Sequence, residues 1–232
     1  MTNDQRPSHR DIWAVIPVKE TTFAKQRLAD ALSPRLRKEL ALAMFQDVLE
    51  AASAVSELRG IAVVTLDRNV AEIARRSGAE VWSDGARAGH TGAVKAAASR
   101  LAANASALLT IPGDVPLVSS SDVRSVLAVH LAAPAFTIVP AWDERGSNAI
   151  VCSPADMVPL RFGPDSYFPH LAAARACGLT PTIVRNSAIA LDIDEPSDLR
   201  RFMRSRSATR TWQLLEGCRA EWDRDSVALV SQ

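Results

Sequence analysis

Lysine is scarce in this 232-residue chain: only Lys19, Lys25, Lys38 and Lys95 occur among its 27 basic residues, the rest being arginine. Cysteine is scarce too. Cys152, Cys177 and Cys218 are odd in number and lack CxxC spacing, which excludes a disulfide framework and a structural zinc site. No uninterrupted apolar run approaches the roughly 18 residues of a membrane span. The first residues, "MTNDQRPSHRD", lack the apolar centre of a secretory signal, so a cytoplasmic address is expected. Neither GxxxxGK[ST] nor GxGxxG is present, so P-loop and dinucleotide-binding readings have no support. A net charge of +1 argues against nucleic acid or an anionic membrane as main partner. A homodimer is compatible with this composition.

What remains is an ordinary globular composition, 47% hydrophobic and 23% charged, long enough for one sizeable core. "IWAVIPV" reads as a strand buried on both faces. Ser33 and Pro34 open a helix whose apolar face runs through Leu36, Leu40, Met44 and Val48. "IAVVTL", "AEVW" and "ALLTIP" read as further strands, separated by a helix capped at Asp67 or Asn69 and by the Ala-rich "TGAVKAAASRLAA". This alternation predicts a three-layer α/β domain with a parallel sheet. The rhythm changes after the helix near Asp122. "AFTIVPAW", "SNAIVCS", "PTIVRN" and "AIALDID" are strand-like with one clear helix among them, "YFPHLAAARACG", which predicts added antiparallel strands in the second half. Pro196 to Met203 closes the domain as a helix. The expected organisation is a flexible N-terminus at 1–10, one domain at 11–204, and an extension at 205–232 bearing Trp212, Leu215 and Trp222.

Ligands of open α/β sheets bind at the carboxyl ends of the parallel strands. There "LLTIPGDVPLV" ends on Asp114, and "LDID" places Asp192 and Asp194 two residues apart, on one face of a strand. Three carboxylates in such positions form a hard oxygen cluster suited to Mg²⁺. Turn formation and helix capping are the ordinary alternatives for such aspartates. In the loop after the first strand, Lys19, Lys25 and Arg27 place three cations where a polyphosphate would lie, lysine as a point charge and arginine as a fork. A solvated basic loop is the alternative there.

Taken in series, "VIPVKETTFAKQRLADALSPRLRKELALAMFQDVLEA", "LLTIPGDVPLV", "SNAIVCSP", "RFGPDSYFPHLAAA" and "LDIDEPSDL" resemble the 2-phospholactate guanylyltransferase family of deazaflavin coenzyme F-420 biosynthesis. The resemblance runs from about Ile12 to Met203. It implies a single Rossmann-like nucleotidyltransferase domain. It also implies transfer of GMP from GTP to a three-carbon phospho-acid: 2-phospho-L-lactate, phosphoenolpyruvate or 3-phospho-D-glycerate. By the same resemblance Asp114, Asp192 and Asp194 match the metal-binding aspartates, while Lys19, Lys25 and Arg27 match the triphosphate loop. Lys19, Lys25 and Asp114 are then the catalytic set. Ser147, Gly163 and Ser166 are implied to contact the acid, in segments where small residues, a hydroxyl and an arginine suit an anion. Gly-Pro as a plain turn and Ser166 as a plain helix cap are the bland uses of the same residues.

The implied reaction needs no general base, because the attacking phosphate oxygen is already ionised, and no histidine sits in a triad-like pattern. His130 and His170 are expected to be surface or packing residues. Two segments depart from the family. "AGHTGAV" stands where a Gly-Leu-Asn-like turn is usual, which bears on the choice of GTP. "ERGSNAI" replaces a Gly-Gly-Thr-Asn run, with Arg145 in place of a glycine, which bears on the acid. A related nucleotidyltransferase for a sugar phosphate, a polyol phosphate or the molybdenum cofactor would open with a glycine-rich loop, where this chain has "PVKETTFAK". A catalytically silent nucleotide-binding protein is the other alternative, and the intact carboxylates argue against it.

Overall fold

The computed structural model describes residues 11–104 and 106–222; the expected flexible segment 1–10 and the last residues of the extension, 223–232, lie outside them. Strand β1 (Ile12–Pro17) is buried on both sides, as its apolar run predicts. Ile12, Ala14 and Ile16 pack with α1 (Pro34–Ser53), α2 (Arg68–Arg76) and α4 (Ser120–Ala128). Val15 faces the opposite way, onto Ala93, Val94, Ala97 and Leu101 of α3 (Gly89–Ala102). The period of two along a strand therefore assigns one helix layer to each face.

β1 lies between two parallel partners, β2 (Gly60–Val64) and β4 (Ala107–Thr110), and β3 (Glu80–Trp82) extends the sheet beyond β2. Antiparallel β6 (Ser147–Ser153) then joins β4, followed by β5 (Ala135–Pro140) and the short β7 (Thr182–Ile183). Among the described residues the sheet has seven strands in the order β3-β2-β1-β4-β6-β5-β7, mostly parallel with an antiparallel insertion in the second half, as the change of rhythm predicts. Between β1 and β4 the strand order reverses, which opens a crevice at their carboxyl ends. On the α3 side, α5 (Tyr167–Ala176) covers Phe136, Ile138 and Ile150 of the second half.

Local signals explain the boundaries. Ser33 Oγ accepts from Leu36 N at 3.3 Å and Pro34 occupies the first turn of α1. Asp67, rather than Asn69, caps α2 by accepting from Asn69 N and Val70 N. Two expectations fail. "AIALDID" forms no strand among the described residues: Asn186 Oδ1 accepts from Ala188 N and Ile189 N and starts a helical turn, α6 (Ser187–Ala190), after which residues 191–194 run extended without a ladder partner. Asp114 does not end β4. The strand stops at Thr110, because Pro112 has no N–H to continue the ladder, and Asp114 stands in the loop beyond.

After α7 (Pro196–Met203), the chain returns along α1 as α8 (Arg210–Gly217) and α9 (Arg219–Trp222). Buried Asp47 on α1 accepts from Arg210 N, Thr211 N and Thr211 Oγ1, at 2.9, 3.0 and 2.6 Å. Leu215 is fully buried beside Leu36, Leu40 and Phe202. The helices of the extension thus share a core with α1 and α7.

Candidate active site

A cleft of about 1520 Å³ opens over the β1/β4 crevice. That exceeds the roughly 300–1,000 Å³ typical of a small-ligand site, leaving room for more than one small ligand. All nine residues singled out from the sequence (Lys19, Lys25, Arg27, Asp114, Ser147, Gly163, Ser166, Asp192 and Asp194) line this cleft.

The loop after β1 forms one wall. It forms two 3₁₀ turns, Thr21–Phe23 and Gln26–Leu28, the first anchored by Asp67, which accepts from Thr21 N at 2.8 Å and Thr21 Oγ1 at 2.6 Å. Lys19 is exposed at the cleft mouth. Lys25 is placed differently. Its backbone is left-handed at φ 53°, and its ammonium is buried between Asp114 Oδ2 at 2.7 Å and Asp194 Oδ1 at 2.6 Å. Burial works against the ammonium, but the two carboxylates outweigh it and hold the Lys25 pKa above the usual lysine value. Arg27 is exposed, 3.6 Å from Glu195.

Asp114 is held by packing on its loop. A Cβ at Gly113 would stand 3.1 Å from Val18 Cγ2, so glycine lets this loop lie close against the end of β1. The Asp114 carbonyl accepts from Ile193 N at 3.1 Å, which ties the loop to the 191–194 segment. There the side chains alternate although no strand forms: Leu191 and Ile193 are buried in the core, and Asp192 and Asp194 face the cleft. The same-face expectation for the two aspartates holds because the backbone is extended. Asp198 Oδ2 accepts from Asp194 N and Glu195 N at 3.1 and 2.8 Å and holds the turn into α7.

The three carboxylates are electrostatically unequal. Burial and then the Asp114 charge push the Asp192 carboxyl up to about 6. Asp194 is held below the ordinary carboxylate range by Lys25, against its own burial. Among the described residues, no group of three or more His, Cys, Asp or Glu side chains converges at metal-binding distance. The ammonium of Lys25 stands between two of the three aspartates. The donor set nonetheless suits a hard divalent cation, since one ammonium is set against three carboxylates, one of which is poorly neutralised.

Asn148 was not foreseen. Its Nδ2 donates to Ile189 O, Ala190 O and Asp192 Oδ1, each at 3.0 Å, so it fixes the segment that carries Asp192. The available signal was its place beside Ser147 in the "SNAI" run. Ser147 and Ser166, which also line the cleft, are buried, with Ser166 Oγ 3.3 Å from Ser147 Oγ. Ser166 occupies the N-cap position of α5 but its side chain makes no capping bond, so the plain-cap use is not what is found. Gly163 has open space where a Cβ would stand. Arg145 Nε meets Asp165 Oδ1 at 2.7 Å at the cleft edge, both side chains exposed.

His130 and His170 are buried packing residues, as expected, and His90 and His170 stand beside the site. His90 stacks on Phe162 with centroids 4.1 Å apart, and burial lowers its pKa to about 4. Thr91 Oγ1 donates to Phe162 O and accepts from Phe162 N, which fastens α3 to the loop before α5. The "AGHT" departure therefore forms part of the cleft wall.

Comparison with known proteins places this geometry. A family model described as "Guanylyl transferase CofC like" matches residues 12–226. The chain is 38% identical over 192 residues to the phosphoenolpyruvate guanylyltransferase of Roseiflexus castenholzii, covering 82% of this chain and 86% of that one. It is 32% identical over 186 residues to the 2-phospho-L-lactate guanylyltransferase of Methanothermobacter thermautotrophicus, covering 80% and 81%. Among solved structures, a nucleotidyl transferase from Methanothermobacter thermautotrophicus has the same fold, with a TM-score of 0.59 at 19% identity over 84% of this chain and 96% of that one.

Proposed function

The chain belongs to the CofC-like guanylyl transferase family, and from that premise we propose that it moves GMP from GTP onto the phosphate of a phosphorylated three-carbon acid, releasing diphosphate. Phosphoenolpyruvate, 3-phospho-D-glycerate and 2-phospho-L-lactate are the candidate acids, and the product would serve deazaflavin coenzyme F-420 biosynthesis in the cytoplasm. The supporting observation is one cleft lined by Lys19, Lys25, the three aspartates and the buried Ser147–Ser166 pair.

In this reading the attacking atom is a phosphate oxygen of the acid, ionised at neutral pH, so the site works by alignment and charge neutralisation. Lys19 and Arg27 meet the β- and γ-phosphates from the exposed loop. Lys25 neutralises charge that grows on the leaving diphosphate, and the Asp114–Asp194 pair holds its ammonium ready. Asp114, Asp192 and Asp194 would hold Mg²⁺, which when bound offsets the negative charge of the triphosphate. Ser147 and Ser166 receive the anionic acid. Burial keeps His90 and His170 neutral, so neither adds a positive charge to the site.

The test is a panel of the four nucleoside triphosphates against the three acids, reading diphosphate release with Mg²⁺. Release that requires GTP together with one of the acids is expected. Release with a sugar phosphate instead, or with GTP alone at the same rate, overturns the assignment.

A further inference from the structure

His170 has one atomic role on each ring nitrogen, and together they determine the proton arrangement of the acid pocket. The side chain is 1% exposed on α5. Its Nε2 lies 2.9 Å from Arg161 N, and its Nδ1 lies 2.9 Å from Ser147 Oγ. A backbone N–H can only donate, so Nε2 must present its lone pair. A neutral imidazole has a single N–H, which is therefore on Nδ1 and donates to Ser147. An imidazolium would set its Nε2–H against the Arg161 N–H, and burial independently drives the His170 pKa down to about 4.

The consequence falls on Ser147. Its oxygen accepts from His170 Nδ1–H, and Ser166 Oγ donates to it as well, at 3.3 Å. Both lone pairs are engaged, and neither neighbour is left to accept the Ser147 hydrogen. The open direction is the cleft that Ser147 lines. The geometry points to His170 as a positioning residue that makes Ser147 an obligate donor toward an anionic oxygen of the substrate. This rests on the phospho-acid reading above and deepens it. The pocket should select an acceptor-only group, an ionised carboxylate or phosphate, and reject an analogue that places an amide NH₂ there.

Two variants separate positioning from bulk. His170→Phe keeps a ring and removes both nitrogens; His170→Gln retains one donor and one acceptor. Loss of a hydrogen bond to a charged group predicts that His170→Phe raises the acid KM by about tenfold or more. The GTP KM should stay within about twofold, since His170 bonds to Ser147 and Arg161 N and to none of the lysines or aspartates. His170→Gln should recover most of the acid KM. In the Ser147→Ala background, His170→Phe should add nothing further, because its effect passes through Ser147. Additive losses, or an unchanged acid KM in His170→Phe, overturn the proposal. The tautomer is read without turnover by ¹⁵N NMR of histidine-labelled enzyme. A protonated Nδ1 and bare Nε2 at neutral pH are expected, and an Nε2–H tautomer overturns the proposal whatever the activity. A wild-type enzyme that uses none of the acids counts against the proposed function instead, and the NMR result then still decides the His170 arrangement.

Discussion

Replacing Lys25 by methionine removes the one cation that lies between Asp114 and Asp194 while keeping an unbranched side chain of similar reach. Breaking a fully buried ion pair costs about 3–5 kcal/mol. Here the ammonium is buried, but the Asp114 and Asp194 side chains are 28% and 44% exposed, so solvent screens part of the loss. About 2 kcal/mol is a reasonable figure after that discount. For a domain of this size it corresponds to roughly 5 °C in Tm. The sign with pH follows from the carboxylates. Lys25 holds the Asp194 carboxyl below the ordinary carboxylate range, so its stabilising effect is fully present above that range and is lost as the pH falls through the lowered Asp194 value. Lys25→Met should therefore lose most stability relative to wild type near pH 8, and the difference should shrink only below the ordinary carboxylate range, near pH 3. If the aspartates hold a divalent cation, millimolar Mg²⁺ should restore Tm in the variant by more than it shifts the wild type, since the ion replaces the missing charge. Calorimetric melts at both pH values, with and without Mg²⁺, measure this. Equal Tm for variant and wild type at pH 8 refutes the electrostatic account; a variant indifferent to Mg²⁺ refutes the metal assignment.

The other predictions concern single residues. Asp114→Asn, Asp192→Asn and Asp194→Asn should each lower kcat by orders of magnitude with the fold retained, read as diphosphate release across a Mg²⁺ series alongside circular dichroism; wild-type turnover at limiting Mg²⁺ would remove that residue from the metal site. Lys19→Ala should raise the GTP KM well beyond any change in the acid KM, because its exposed ammonium lies at the cleft mouth, and steady-state kinetics with each substrate varied check this. Gly163→Val should leave Tm nearly unchanged, there being open space at its Cβ, yet obstruct the acid; calorimetric titration that shows acid binding retained and GTP lost would place the pocket at the wrong end. His90 and His170 both have pKa values lowered to about 4 from 6.5. Their neutral forms support the fold above pH 6.5, and that support falls away as the pH drops through about 4, up to about 3 kcal/mol for each. Tm should fall over that window, and His170→Gln should flatten the slope.

Much of the architecture is legible in short stretches of chain, since the forces that set it act locally. The apolar run of β1 can be satisfied only between two layers, and Ser33 with Pro34 starts a helix by satisfying or omitting N–H groups nearby in the chain. Chemistry-bearing residue types are legible too: carboxylates and lysines set among glycine and proline beside apolar runs. Where the reading of "AIALDID" fails, the cause is a competing local bond, the Asn186 cap, together with the want of a neighbouring strand. An extended segment shows the same alternation whether or not it has a ladder partner, so periodicity could orient Asp192 and Asp194 but could not say that they stand off the sheet.

The roles within the site belong to the tertiary structure. Lys25 and Asp194 are 169 positions apart, and Ser147 and His170 are 23 apart on different elements. Nothing in either neighbourhood indicates that the lysine sits between carboxylates or that the histidine sets the direction of a serine hydroxyl. Such roles depend on burial, which raises one carboxyl and keeps an imidazole neutral, and on hydrogen-bond direction. Both arise only when the sheet brings the β1 loop, the Asp114 loop, β6 and the 191–194 segment to one edge.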